Sequence, residues 1–152
     1  MLYLLALSIG MLAGLRAMMA PAAISWAATI GAVNLDQSWL SFLGWRFTPW
    51  ILTLLAVGEL VTDKLPTTPS RKVPVQFGAR ILSGAACGSA IGASGGWLWI
   101  GMALGALGAV LGTLGGAAAR IALATRFGSD RPAAIVEDVV AVGGAALIVL
   151  AL

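Results

Sequence analysis

The chain has 152 residues, 60% of them hydrophobic and only 10% charged, with a formal net charge of +3, against about 25% charged residues in an ordinary soluble domain. Too few polar groups exist to cover a soluble surface, so the composition places the chain among polytopic α-helical membrane proteins. The small, scattered charge gives no footprint for nucleic acid, the single Cys87 gives no intrachain disulfide or cysteine metal cluster, and without histidine neither a His-based triad nor the usual transition-metal site can be built.

Five apolar segments follow in chain order, near residues 2–33, 49–65, 76–94, 97–120 and 132–151. The first opens MLYLLALSIGMLAGLRAMMAPA, without a basic stretch ahead of its apolar run, and reads as retained rather than as a cleaved signal. As one helix it would extend about 48 Å, beyond a hydrocarbon core of about 30 Å. It must therefore tilt or break, and Gly14, Arg16 and Pro21 mark the break. A crossing helix with an interfacial part, a shorter helix pair and a re-entrant loop all satisfy this length.

The linker NLDQSWLSFLGWRF, residues 34–47, reads as an interfacial segment on the outer side. Thr48-Pro49 opens the second segment as a capping side chain ahead of a proline, and Asp130-Arg131-Pro132 opens the fifth in the same way. Pro66, Pro69 and Pro74 end the second segment, so the third starts afresh near Val75. Within the third, Gly84, Gly88 and Gly92 recur every four residues; Gly101, Gly105, Gly108, Gly112 and Gly116 supply a similar face in the fourth. Small residues at that spacing let backbones approach closely, either within one chain or across a homodimer.

Five crossings would put the N-terminus, residues 64–74 and residues 126–132 on one side, with Lys64, Arg71, Lys72, Arg126 and Arg131 there and only Arg46 opposite. The positive-inside rule then places the N-terminus in the cytoplasm. Trp26, Trp39, Trp45, Trp50, Trp97 and Trp99 all fall at the other face, as an aromatic belt would.

Seven charges remain inside the apolar segments: Arg16, Glu59, Asp63, Arg80, Arg120, Glu137 and Asp138. An unpaired charge in hydrocarbon costs at least about 2.5–3.5 kcal/mol, so these side chains are expected to face inward and meet one another. The arginine fork suits a carboxylate or phosphate, and Glu59 or Glu137 could exchange protons. The cluster reads either as a site for a small anionic solute or headgroup, or as a static set of ion pairs fixing helix register. No nucleophile motif or metal set accompanies it, which points away from an enzyme, and no cofactor is implied. Gly14-Leu15-Arg16 and Gly78-Ala79-Arg80, like Pro21-Ala22-Ala23-Ile24 and Pro132-Ala133-Ala134-Ile135, echo each other and leave an inverted repeat open.

The set GLRAMMAPAAISWAA, GELVTDKLPTTPSRK, ARILSGAACG and IVEDVVAVGGA resembles the small bacterial integral membrane proteins grouped as domain of unknown function 4126. The resemblance spans nearly the whole chain. Its pattern falls on Gly14, Arg16, Pro21, Glu59, Asp63, Lys64, Pro66, Arg80, Glu137 and Asp138. Members often carry a further acidic residue after the Asp-Lys-x-Pro turn, and residues 67–75 here have none. The resemblance implies a multi-pass protein of the bacterial inner membrane and supplies no reaction.

Sequence reasoning thus predicts one all-α domain over residues 1–152, a bundle of about five spans. Its expected role is transporter-like or channel-like, for an anionic or proton-coupled solute, with Arg16, Arg80 and Arg120 attracting the anion. The alternatives are a non-transporting scaffold or assembly partner, and a protein that handles lipid headgroups.

Overall fold

The computed structural model describes residues 1–36, 38–64 and 73–152. Among these described residues, six α-helices and one short 3-10 turn make up the regular structure, and there is no strand. The helices are α1 (Leu2–Leu15), α2 (Met19–Thr29), α3 (Thr48–Thr62), α4 (Pro74–Ser94), α5 (Leu98–Phe127) and α6 (Asp130–Ala151), with the 3-10 turn at Ser41–Gly44. Pro66, Pro69, Arg71 and Lys72, and with them the expected proline break and part of the basic loop, lie outside the described residues.

The first apolar segment does break, and the reason is legible in the chain. Pro21 has no N–H to give to the carbonyl of Ala17, and its ring would collide with that carbonyl in a continuous helix. The helix therefore stops ahead of Ala17: α1 ends at Leu15, Arg16 takes an extended conformation, φ −141° and ψ 110°, and α2 starts at Met19. Pro21 itself sits in the first turn of α2, where a missing donor is harmless.

After the break the chain turns back. The rings of Tyr3 and Trp97 lie 4.3 Å apart, so α1 starts at the end of the bundle where α5 starts. Gly10 lies against Gly105, and Gly14 against Ala109 and Gly112, so α1 runs parallel to α5 down to Arg16. From there α2 climbs back: Trp26 packs edge-on against Trp50 with ring centroids 5.0 Å apart, and its indole N–H donates to Thr53 Oγ1 at 3.0 Å. Helix α3 then runs down again from the tryptophan end, and Asp63 at its close meets Arg16 at the turn.

This corrects two expectations. The first segment is a hairpin of two short helices, about 21 and 16 Å long, and doubles back instead of running once through the bundle. Residue 1 consequently lies at the tryptophan end, opposite Lys64 and Arg131, not beside them. An inverted repeat is also removed, because it would set the first and fourth segments antiparallel, whereas α1 and α5 run parallel.

The glycine faces are used inside the chain. A Cβ on Gly88 would stand 2.8 Å from Gly105 Cα, and one on Gly92 would stand 3.1 Å from Gly101 Cα. Helices α4 and α5 therefore approach backbone to backbone, and Gly108 and Gly112 receive α1 in the same manner on the next face. Gly128, at φ 66°, stops α5 in the left-handed conformation that glycine adopts without strain. Neither expected proline-side cap forms: Thr48 Oγ1 donates to the carbonyl of Phe42 at 2.7 Å, and α6 has no side-chain cap. The fourth segment also runs further than expected, to Phe127, because residues 121–127 contain no glycine or proline to stop the helix before Gly128.

The bundle presents apolar residues outward as well as inward. Ile51, Leu54 and Leu55 on α3, Leu107, Leu111 and Leu114 on α5, and Val139, Leu147 and Leu150 on α6 are all exposed. By length and composition α5 and α6 are sufficient to cross a membrane.

Candidate functional site

Breaking a helix inside a bundle frees backbone groups, and a buried polar group without a partner costs free energy comparable to a lost hydrogen bond. Between Gly14 and Met18 these freed groups are met by side chains from three other helices. From α4, Arg80 Nη1 donates to the carbonyls of Gly14 at 3.0 Å and Leu15 at 2.7 Å, and Ser83 Oγ donates to the carbonyl of Ala17 at 2.6 Å. From α5, Thr113 Oγ1 reaches the Gly14 carbonyl at 3.2 Å. From α3, the Glu59 carboxylate accepts from two successive amides, Ala17 N on Oε1 and Met18 N on Oε2, each at 2.8 Å.

The charges then neutralise one another around this tip. Arg80 Nη2 stands 3.5 Å from Glu59 Oε1. Arg16 is fully buried and divides its fork, Nη1 to Asp63 and Nη2 to Asp138, while Lys64 Nζ reaches the other oxygen of Asp138 at 2.9 Å. Glu59 and Asp63 lie one turn apart on α3, which aims both at the same tip. Arg16 thus ties the end of α1 to α3 and α6, and Arg80 ties it to α3 and α4.

Arg120 lies in a second group. Its Nε and Nη2 grip the Asp130 carboxylate at 2.9 and 2.6 Å, and its Nη1 is 3.4 Å from Glu137 Oε2. Glu137 and Asp138 are neighbours in sequence, but side chains one residue apart on a helix diverge by about 100°. They serve different arginines for that reason.

Residues 3–151 match the model of a family described as Domain of unknown function (DUF4126). The chain belongs to this family. No curated protein and no solved structure matches it. The polar layer of this DUF4126 chain therefore has to be read from its own geometry.

All seven charged residues singled out from the sequence take part in ion pairs, five of them at the tip of the α1–α2 hairpin and two beside it. Four further contributors of the DUF4126 layer escaped the sequence reading. From the sequence, Lys64 reads as a loop charge and a position of the family pattern, and Asp130 as a cap. Ser83, one turn beyond Arg80 on the same face, carried a usable signal; Thr113 is one hydroxyl in a long small-residue helix and carried none. Among the described residues no group of three His, Cys, Asp or Glu side chains is placed to hold a metal ion.

Chemically, the DUF4126 tip holds a carboxylate, that of Glu59. Two adjacent N–H groups and a buried guanidinium converge on one planar, two-oxygen anion, the geometry that backbone nests and arginine forks favour. In this conformation Glu59 supplies that anion.

Proposed function

We propose that this protein is a small integral membrane protein of the bacterial inner membrane that moves an anionic or proton-coupled solute through the charged layer at the α1–α2 tip. The carrying observation is the interrupted helix: its backbone ends lie inside the bundle and are held by Glu59, Arg80 and Ser83, while Arg16 at the break pairs with Asp63 and Asp138. Irregular backbone at that depth is tolerated in a membrane only where protein buries it or where it lines a polar cavity, and transporters place substrates at such half-helix ends. Exposed leucine, isoleucine and valine along α3, α5 and α6 support a lipid-facing exterior. With the basic end inward, the positive-inside rule puts residue 1 and the tryptophan end outside. A second copy would meet this apolar exterior, since the glycine faces are filled within one chain.

One observation favours the rival reading of a static scaffold: Arg16, Glu59, Asp63 and Asp138 all have partners, as a network that only fixes register would. Flux measurements separate the two. Purified protein in proteoliposomes should take up labelled lactate, phosphate or chloride faster than protein-free vesicles, with a rate that rises when the outside is made acidic. Folded, correctly inserted protein that passes none of the three above the vesicle background would establish the scaffold.

A further inference from the structure

Glu59 occupies its receptor as a tethered ligand would. Its two oxygens take one amide each, Ala17 N and Met18 N, both at 2.8 Å, and Arg80 lies alongside at 3.5 Å. A spare donor lies in the same turn: the buried Nε of Arg16 finds no acceptor. Arg80 is almost wholly enclosed, yet the Glu59 side chain keeps 14% of its surface exposed, so the carboxylate has a way out. The helix that carries it is also loosely embedded, since α3 fully buries only Pro49 and Ala56. Moving α3 breaks few apolar contacts, which is the property expected of a mobile element.

Resting on the transport reading above, we infer that Glu59 is an internal stand-in for the solute, and that the solute is a small monocarboxylate which takes over the two amides and Arg80 when Glu59 accepts a proton. The charge balance closes. A protonated Glu59 leaves the tip as a neutral acid, one carboxylate anion replaces it, and the layer keeps its net charge. Returning Glu59 to the tip as a carboxylate expels the anion and releases the proton, so one proton travels with one anion and no net charge moves.

Charged side chains approach Glu59 from several sides. Arg80 faces it from α4; Arg16 approaches from the tip and is held by Asp63 of α3 and Asp138 of α6, the latter also bound to Lys64. Neither α2 nor the 3-10 turn at Ser41–Gly44 carries a titratable side chain. Chloride offers a single centre, whereas the Glu59 carboxylate presents one oxygen to each amide. The fit is to a planar pair of oxygens.

Thermal melting in detergent, with sodium formate as the probe, tests this without requiring transport. Tens of millimolar formate should raise the melting temperature of the wild type by several degrees near pH 5 and by about one degree or less near pH 8. In Glu59→Gln, which imitates the protonated acid, the rise should be of equal size at both pH values. Formamide and sodium chloride at matched concentration should do neither. Equal stabilisation of the wild type at both pH values, an equal effect of chloride, or no effect in either protein would overturn the inference. If Glu59→Gln does not fold, the pH difference in the wild type decides alone. A formate effect without flux in proteoliposomes leaves the carboxylate receptor standing and removes transport; flux without a formate effect removes the receptor and leaves transport.

Discussion

Replacing Arg80 with alanine should lower the stability of the protein by about 3–5 kcal/mol, the range for removing one partner of a buried, hydrogen-bonded ion pair. Only 2% of Arg80 is exposed, and a single guanidinium holds the carbonyls of Gly14 and Leu15 and the Glu59 carboxylate together. Its loss orphans the Leu15 carbonyl, leaves the Gly14 carbonyl to Thr113, and leaves Glu59 with amide partners alone. At this chain length the melting temperature should fall by on the order of 10 °C. Arg80→Lys should recover only part of the loss, because an ammonium cannot reproduce the planar fork. Arg46→Ala, by contrast, removes an exposed side chain resting on the Phe47 ring and should leave melting unchanged. A wild-type melting curve for Arg80→Ala would mean that the tip is held by apolar packing and not by the charged layer.

Gly105→Ala should be comparably damaging for a different physical reason. A Cβ at this position would lie 3.0 Å from Gly88 Cα and closer still to the Gly84 carbonyl, and these are backbone atoms that no rotamer change can move aside. Helices α4 and α5 would have to separate, and α1, packed across Gly10 onto the same stretch, would follow. Overpacking of this kind costs about 1–3 kcal/mol, more where backbone must shift. Gly143→Ala provides the opposite sign. Nothing lies within 4 Å of its added methyl, and it sits inside α6. Removing a helical glycine there should stabilise by roughly 0.5–1 kcal/mol. Thermal melting of the two variants measures the contrast. Equal effects at positions 105 and 143 would contradict the close α4–α5 approach.

Much of the charged layer was readable because the physics is local and severe. Seven charges in apolar segments have few ways to be accommodated, and the turn-spaced pair Glu59 and Asp63 has one face to present. The break was equally readable, since Pro21 forbids a helical bond to Ala17 and Arg16 precedes it. The direction of the chain after the break was not. A tilted crossing and a hairpin have the same composition, length and hydropathy over residues 2–33. The loop charges could not decide either, because the stretch before Arg16 carries no basic side chain and the count rested on the other loops. What settles the direction is long-range: Tyr3 against Trp97 and Trp26 against Trp50, contacts between residues far apart in sequence. The misread caps have a related cause. Asp130 has the sequence of a capping residue, but the turn at Gly128 brings Arg120 within reach, and a two-bond ion pair outcompetes the backbone amides.

Sided labelling measures the turn at Arg16 most directly. With Cys87, which is buried, replaced by alanine, single cysteines at Met1, Ser38 and Ser129 can be reacted with a membrane-impermeant maleimide in intact cells and again after lysis. The hairpin predicts that positions 1 and 38 react from outside and that position 129 reacts only after lysis. Labelling of positions 1 and 129 from the same side, with 38 opposite, would show that the first segment crosses the membrane and would contradict the fold described.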